Sequence, residues 1–185
     1  IGTLIRKILQ KQVNVSESSM AYLFAADRTD HLYDNESGIA LALDSGQDVI
    51  CDRYVLSSLA YQKPFELAAS LNSTFLIPDL TIYLRSDPTS ALARKSNDSS
   101  IPEKYEHVHK LTSAAREYER AIQHLENKWH VISIDADDVS KEELSHKIFD
   151  LVNEGFFEPT KIDLLPLFSE ILYEQKSGRG YDVKE

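Results

Sequence analysis

Three short runs of β-branched and aromatic residues are spaced along the chain, and each ends in polar side chains. They are residues 48–54 (DVICDRY), 80–86 (LTIYLRS) and 130–136 (HVISIDA). Runs of this length and composition are typical of strands that are buried in a parallel sheet. We therefore predict three buried parallel strands, whose polar carboxyl ends are the candidate positions for a ligand site.

Segments with helical spacing of apolar residues lie before, between and after these strands. The last of them begins with a capping box, in which the side chains of Ser140 and Glu143 bond to each other's backbone N–H groups. Strands that alternate with helices predict an α/β fold, a parallel sheet with helices on both faces in three layers. The predicted helices are the opening segment around Ile5, Ile8 and Leu9, residues 17–45 as one helix or two, and residues 58–71, 103–126 and 140–153.

Two segments depart from this alternation. Residues 94–102 (RKSNDSSIP) are polar and rich in turn formers, which predicts a mobile loop and a candidate lid. Residues 156–185 carry an apolar stripe and then the polar end SGRGYDVKE. We therefore predict one domain over residues 1–155, followed by a helical extension with a flexible tail over residues 156–185.

Composition excludes several classes of protein. The formal net charge of the 185 residues is −10, which disfavours nucleic-acid binding because that function needs a basic face. The single cysteine, Cys51, cannot form an intramolecular disulfide, so a reducing, cytoplasmic setting is the simplest interpretation. No apolar run approaches the ~20 residues that a bilayer-spanning helix needs, and we predict no membrane partner.

The strongest local signal is VICDRYVLSSLAYQ, residues 49–62, in which a predicted strand ends in Asp52 and Arg53. A carboxylate in this position can hold Mg²⁺ through water, and a guanidinium can grip a phosphate group with two hydrogen bonds. Phosphoryl transfer needs both groups, because its catalysis rests on positioning and charge neutralisation. An isolated Asp-Arg pair is nevertheless more typical of a structural ion pair, so the longer motif decides between the two interpretations.

That longer motif, DRYVLSSLAYQ, resembles the corresponding segment of thymidylate kinases nearly residue for residue. LFAADR (residues 23–28) and PDLTIYL (residues 78–84) resemble the same family, and IGTLIRKIL, EKYEHVHKL and IDA do so more weakly. The motifs occur in the family's order and cover roughly residues 1 to 150. The resemblance implies a P-loop-kinase-like fold, transfer of the γ-phosphoryl group of ATP to dTMP, a requirement for Mg²⁺, and a homodimer.

The resemblance also implies roles for residues around the base and the sugar. Phe24 would stack on the thymine ring, and Arg28, four residues later, would hydrogen-bond its 4-carbonyl. Without the resemblance, Phe24 is more typical of a core and Arg28 of a solvated surface. Tyr61 would pack against the deoxyribose where a 2′-hydroxyl has no room. The other residues expected to bind dTMP on this side are Ser57, Ser58 and Gln62.

On the phosphate side, the resemblance implies that Arg53 binds the dTMP phosphate with Arg6 as a second basic contact. Asp52 would lie near Mg²⁺ and the acceptor phosphate. Tyr105 would close over that phosphate, and Glu106 would be a second metal ligand through water. Arg94, at the start of the lid-like segment, would reach the donor phosphates. The predicted catalytic residues are thus Asp52, Arg53 and Arg94.

The sequence lacks the G-x-x-x-x-G-K-[ST] motif that cradles ATP phosphates in this family. Its six glycines stand at positions 2, 38, 46, 155, 178 and 180, and none begins a match. We expect the natural protein to carry a preceding block of roughly forty residues, the size of a βαβ unit, that supplies this loop. Two alternatives stay open: a catalytically inactive, nucleotide-binding relic of the fold, and another nucleoside or nucleotide kinase.

Overall fold

The computed structural model describes the backbone of residues 1–95, 101–137 and 139–155, and the side chains of residues 1–91, 108–137 and 139–153. Within these ranges the chain is rich in helices and contains one small parallel sheet. The elements are α1 (Gly2–Leu9), α2 (Glu17–Tyr33), α3 (Ile39–Asp44), α4 (Val55–Tyr61), α5 (Phe65–Asn72), β1 (Thr81–Arg85), α6 (Pro88–Lys95), α7 (Ile101–Leu125), β2 (Val131–Asp135) and α8 (Lys141–Gly155).

Two of the three predicted strands are confirmed as β1 and β2. They pair in parallel, with Thr81 opposite Val131 and Arg85 opposite Asp135. Parallel strands are normally covered by helices, and here α8 supplies apolar cover. The buried apolar side chains of α8 are Leu144, Ile148 and Val152, and the apolar side chains packed against them are Leu80, Ile82, Leu84, Ile134, Ala136 and Val139.

The prediction of a buried strand over residues 48–54 is wrong. Residues 48–53 are exposed, and the exposed fractions of Val49 and Ile50 are 36% and 37%. A strand persists only where a neighbouring strand takes its backbone hydrogen bonds, and β1 and β2 pair only with each other among the described residues. Composition showed that this segment suits a sheet, whereas the presence of a neighbour is a property of the tertiary structure.

The segment 17–45 forms two helices, one of the two alternatives that the sequence left open. Ser16 caps the start of α2, because its hydroxyl accepts a hydrogen bond from the Ser19 N–H at 3.0 Å. After α2, the Asp34 carboxylate accepts hydrogen bonds from the backbone N–H groups of Glu36, at 3.0 Å, and Ser37, at 2.7 Å. These bonds hold the pKa of Asp34 below its usual value and stabilise the turn that separates α2 from α3.

The predicted single helix over residues 58–71 is also wrong, because α4 ends at Tyr61 and α5 begins at Phe65. Pro64 lies between them, and the Lys63–Pro64 peptide bond is cis. Proline has no N–H group and disfavours a helical residue before it, which interrupts the helix. The predicted helices 103–126 and 140–153 are confirmed as α7 and α8 to within two residues at each end.

The predicted loop 94–102 is wrong at both of its ends. Residues 94 and 95 belong to α6, a helix that the sequence reading missed, and residues 101 and 102 begin α7. Asp87 caps α6, since its carboxylate accepts from the Thr89 N–H at 2.9 Å. Residues 96–100, the centre of the predicted lid, and the predicted extension 156–185 lie outside the described residues. The division into a domain of residues 1–155 and an extension stays a prediction.

The chain divides into two compact units, of which the first comprises Ile1–Pro78 and Ser113–Trp129 and the second Asp79–Thr112 and the residues from His130 onward. In the first unit α2 packs against α1, α3 and α5, and α4 packs against α5. The second unit contains the sheet and α8. The buried apolar residues of the first unit are Ile5, Ala21, Ala25, Leu32, Val55, Leu56, Leu59, Ala60, Phe65, Ala68, Ala121, Leu125 and Trp129.

Gly38→Ala should destabilise the turn between α2 and α3. A Cβ atom at Gly38 would lie 2.5 Å from the Asp34 carbonyl oxygen and 2.9 Å from the Leu32 carbonyl oxygen, so the backbone would have to move. We expect the free energy of unfolding, measured with urea, to fall by about 1–3 kcal/mol. Gly2→Ala is the control, because its Cβ would meet only Asp27 Oδ1 at an ordinary 3.4 Å. Equal stability of the two variants would contradict the prediction.

The predicted capping box of α8 forms as expected. The Glu143 N–H donates to Ser140 Oγ at 3.1 Å, and the Ser140 N–H donates to Glu143 Oε2 at 3.0 Å. Ser140→Ala should lower the free energy of unfolding by about 1 kcal/mol at pH 7. No change on urea unfolding would show that this cap does not stabilise the helix.

The same cap predicts a dependence of stability on pH. The bonds from Ser140 hold the pKa of Glu143 below its ordinary value of 4.5. Because the pKa is lower in the folded state, the stabilisation is present above pH 4.5 and is lost as the pH falls through the lowered pKa. The difference in unfolding free energy between the wild type and Glu143→Gln should therefore close on acidification. A difference that grows below that pH would overturn this assignment.

Candidate functional site

A half-buried arginine, Arg28 of α2, lies at the centre of a polar cluster in the first unit. Its Nη2 donates to the Ser58 hydroxyl on α4 at 2.9 Å, and its Nη1 donates to the side-chain oxygen Oδ1 of Asn72 on α5 at 2.5 Å. Ser58 and Asn72 are buried, with 3% of each residue exposed. Charge-assisted hydrogen bonds in such surroundings are stronger than neutral ones. Side chains of α4 and α5 therefore hold a guanidinium group that α2 carries.

Aromatic rings complete the surroundings of Arg28. The guanidinium carbon lies 5.3 Å from the ring centre of Tyr54 and 5.9 Å from that of Phe75, within the range of cation–π attraction. The Tyr54 ring stacks on Trp129 at 5.9 Å, and its hydroxyl donates to the Leu76 carbonyl at 3.0 Å. Burial raises the pKa of Tyr54 to about 12, so this side chain remains a neutral hydrogen-bond donor at physiological pH.

Gln62, the C-cap residue of α4, adds an acceptor to this cluster. The side chain is buried, and its Nε2 donates to the Ser58 hydroxyl at 3.3 Å. Its Oε1 is buried and accepts no hydrogen bond from the residues that the structure describes. A buried acceptor without a donor is costly, and a ligand N–H group can satisfy this one only if the Gln62 side chain shifts to expose the enclosed oxygen. The Ser58 hydroxyl thus accepts hydrogen bonds from both Arg28 and Gln62, and the Gln62 amide also brings an acceptor oxygen to the cluster.

A second cluster follows Arg53, at the start of α4. Arg53 is exposed and has a φ of +66°, a left-handed conformation that non-glycine residues rarely adopt. Its guanidinium carbon lies 5.7 Å from the Tyr61 ring centre, and the Tyr61 ring meets Tyr118 edge-on at 5.6 Å. The Tyr118 hydroxyl shares a 2.8 Å hydrogen bond with Ser57. Unusual backbone conformations concentrate at functional sites, which makes Arg53 a candidate.

The remaining predicted site residues occupy several elements. Phe24 is half-buried on α2, one helical turn before Arg28, whereas Arg6 on α1 and Asp52 are exposed. No sequence pattern singles out four further residues of the clusters, namely Asn72, Phe75, Tyr118 and Trp129. The side chains of Arg94, Tyr105 and Glu106 lie outside the described part of the chain, and the backbone places them in α6 and α7.

Polar side chains also meet at the carboxyl ends of β1 and β2 in the second unit. Arg85 Nη2 lies 3.2 Å from Asp135 Oδ2 in an exposed ion pair. Asp137 accepts hydrogen bonds from the Ser86 hydroxyl at 2.7 Å and from the Asp87 N–H at 2.6 Å. The polar ends of β1 and β2 therefore lie side by side, and their role as a ligand site stays a prediction. Exposed ion pairs contribute little stability, so this cluster organises the loops rather than the core.

Among the described residues, no group of three or more His, Cys, Asp or Glu side chains is arranged to enclose a metal ion. None of the helices described combines the length and the apolarity that crossing a bilayer requires.

Comparison with known proteins identifies the family. The model of the thymidylate kinase family matches residues 1–148. A protein of Treponema pallidum (strain Nichols), provisionally named thymidylate kinase, is 39% identical over 142 residues, which cover 74% of this chain and 68% of the relative. The thymidylate kinase of Plasmodium falciparum (isolate 3D7) is 31% identical over 174 residues, 90% of this chain and 72% of the relative.

A third relative is the thymidylate kinase of Leptospira interrogans (serovar copenhageni, strain Fiocruz L1-130). It is 32% identical over 127 residues, which cover 65% of this chain and 61% of the relative. The family has the P-loop kinase fold, and the small parallel sheet among helices agrees with it, so the predicted α/β class is confirmed. The chain belongs to the thymidylate kinase family.

Proposed function

We propose that this protein transfers the γ-phosphoryl group of ATP to dTMP, giving ADP and dTDP, with Mg²⁺ as the metal. Family membership supports dTMP phosphorylation as the activity. The observation that supports particular residues in this role is the hydrogen-bonded cluster of Arg28, Ser58 and Gln62. The sequence predicted all three as base-binding residues, although they come from two separate motifs.

The base is read by a match of donors and acceptors. The 4-carbonyl of thymine is an acceptor and its N3–H is a donor. The guanidinium of Arg28 can only donate, whereas the buried Oε1 of Gln62 can only accept. Cytosine presents the opposite pattern, an amino donor at position 4 and an acceptor at N3. A pyrimidine with the wrong pattern would leave buried groups unpaired, which costs far more than a lost methyl contact.

Phe24 and Tyr61 supply the flat surfaces of the proposed pocket. Phe24 stacks on the thymine ring, as its place one turn before Arg28 on α2 allows. Tyr61 packs against the deoxyribose, and the edge-on contact with Tyr118 supports its ring. Ser57, which is hydrogen-bonded to Tyr118, limits the movement of that second tyrosine. A ribose 2′-hydroxyl would meet the Tyr61 ring, which gives the preference for deoxynucleotides.

The acceptor phosphate binds to Arg53, with Arg6 as a second cation. The left-handed backbone of Arg53 is a strained conformation that turns the side chain back over Tyr61, the residue proposed for the sugar. A guanidinium offers two parallel N–H groups to a phosphate, whereas a lysine offers a point charge. Arg53 therefore both binds and orients the phosphate that is to be phosphorylated.

Asp52 fits the way in which proteins hold Mg²⁺. This ion usually keeps several waters and takes one or two carboxylates together with substrate phosphates, so an enclosed site of three side chains is not required. Asp52 is an exposed carboxylate next to Arg53, and Glu106 is the second proposed ligand, in both cases through water. When bound, Mg²⁺ neutralises charge on the phosphates. Arg94 and Tyr105 are proposed contacts of the donor and acceptor phosphates, respectively.

The reaction needs no strong general base. An oxygen of the dTMP phosphate, which is largely ionised near neutral pH, attacks the γ-phosphorus of ATP. The bond from that phosphorus to the β–γ bridging oxygen breaks, and ADP leaves with the electron pair. The chain's own contribution is to hold the acceptor phosphate in line through Arg53 and to fix the nucleoside through Arg28.

Cytoplasmic localisation and a homodimer complete the proposal. Cys51 is a free thiol and is exposed, which agrees with a reducing compartment. Exposed apolar side chains on α3, Leu41 at 49% and Leu43 at 44%, support burial against another copy of the chain. Light scattering coupled to size exclusion should give twice the monomer mass, and a monomer at micromolar concentration would contradict the dimer.

The test is a coupled ATP-to-ADP assay on the full-length protein with dTMP, dUMP, dCMP, UMP and AMP as acceptors. Turnover with a strong preference for dTMP supports the activity and the base pocket together. Efficient turnover of dCMP or AMP would instead assign another nucleotide kinase. Binding of dTMP by calorimetry without turnover of any acceptor would indicate the inactive, nucleotide-binding alternative.

A further inference from the structure

The amide of Asn72 is held at both ends. Its Nδ2 donates to the Ala68 carbonyl of its own helix at 2.7 Å, and its Oδ1 accepts from Arg28 Nη1 at 2.5 Å. Asn72 is 3% exposed, at the last position of α5. The bond to Ala68 uses the nitrogen and therefore leaves the oxygen on the side of Arg28. A buried asparagine is uncommon, and its partners account for both of its polar atoms.

The geometry of Arg28 explains why a second anchor matters. The aromatic faces of Tyr54 and Phe75 attract the guanidinium through its charge, but such attraction does not set the rotation of the group. Hydrogen bonds from two different nitrogens, to Ser58 on α4 and to Asn72 on α5, do set it. A long arginine side chain loses rotamer entropy when it is ordered, and these bonds order it before a ligand arrives.

We propose that Asn72 is a positioning residue for base recognition: it holds the Arg28 guanidinium in the orientation that reads the 4-carbonyl of the pyrimidine. The inference rests on the proposed function, since it assumes that Arg28 contacts the base. Asn72 itself does not touch the substrate. Its effect should therefore appear in the affinity and in the choice of base, and not in the chemical step.

The main variant is Asn72→Leu, which has a similar size and removes the acceptor. We expect the KM for dTMP to rise about tenfold with little change in kcat, and the ratio of the Kd values for dCMP and dTMP to fall about tenfold. Calorimetry on the full-length protein gives the Kd values. A purely structural residue would weaken both nucleotides equally and leave that ratio unchanged, and this result would overturn the inference.

Two further variants keep the test decisive if Asn72→Leu does not fold. Asn72→Asp keeps an oxygen for Arg28 but turns its second oxygen towards the Ala68 carbonyl, so we expect it to lose stability and yet retain most of the preference for dTMP. Asn72→Ser is polar but too short to reach Arg28, so it should lose that preference as Asn72→Leu does. The control is Ser70→Ala, an exposed position on α5 that should change neither the KM nor the ratio. Equal preference in Asn72→Asp and Asn72→Ser would also contradict the inference.

Failure of this inference can be told apart from failure of the proposed function. If the wild type neither prefers dTMP nor phosphorylates it, the proposed function is wrong. If the wild type prefers dTMP strongly and the Asn72 variants keep the same preference, only the positioning role is wrong.

Discussion

Arg28→Ala is expected to raise the KM for dTMP about a hundredfold while kcat changes by only a few fold. The guanidinium is half-buried among Ser58, Asn72 and two aromatic rings. Its contact with a base carbonyl is therefore a charge-assisted hydrogen bond in surroundings from which water is partly excluded. Such bonds contribute roughly 1.5–3 kcal/mol, and the upper part of that range corresponds to the expected change. The measurement is steady-state kinetics with dTMP as the varied substrate.

The same substitution should also weaken the discrimination between dTMP and dCMP, because it removes the donor that repels the amino group of cytosine and leaves only the Gln62 acceptor to distinguish the two bases. Arg28→Lys is the matched control. The lysine keeps the positive charge but has a single side-chain nitrogen. That nitrogen cannot hydrogen-bond Ser58 and Asn72 in the way that the two terminal nitrogens of the guanidinium do. We expect an intermediate KM for this variant. An unchanged KM in Arg28→Ala would remove the assignment of Arg28 to the base pocket.

Loss of Arg28 also removes a hydrogen-bond donor from each of two buried residues, Ser58 and Asn72. The effect of the substitution on stability must therefore be separated from its effect on binding. Ser58 retains its bond from Gln62, whereas the Asn72 oxygen loses the donor at 2.5 Å. An unsatisfied buried acceptor costs about 1–3 kcal/mol. Thermal unfolding of each variant, with and without dTMP, therefore accompanies the kinetics. A stable fold with a raised KM is the expected outcome.

Arg53→Ala is expected to lower kcat/KM for dTMP by about 10²–10³. The proposed partner of Arg53 is the acceptor phosphate. In other enzymes, the loss of one well-placed hydrogen-bond donor to the charge of the transition state lowers the rate by a factor of this size. Arg53 is exposed, so its substitution should leave the core intact and its effect should be functional. A kcat/KM within tenfold of the wild type would exclude Arg53 from phosphate binding.

The backbone of Arg53 provides an internal control for this experiment. Its φ of +66° is costly for any residue with a Cβ atom and costs glycine nothing. Arg53→Gly should therefore lose as much activity as Arg53→Ala but unfold with a free energy about 1 kcal/mol higher. Equal stability of the two variants would show that the left-handed conformation does not persist without the arginine.

Local sequence signals were sufficient where the interaction itself is local. The box of Ser140 and Glu143 lies within one helical turn, so four residues specify it. The composition and length of residues 80–86 and 130–136 are sufficient to predict β1 and β2. Pro64 is an equally local signal, because a residue without an N–H group interrupts the single helix that the apolar spacing of residues 58–71 predicts.

The sequence by itself determined the family, the α/β class, and the identities of the residues proposed for the base pocket, since these follow from motifs in a fixed order. Only the tertiary structure decided the rest. Residues 48–54 suit a strand, yet they form none because a strand depends on a neighbour. Asn72 and Tyr118 entered the clusters through contacts that span 44 and 61 residues of chain. Contacts at such distances along the chain depend on how helices pack, which no local pattern encodes.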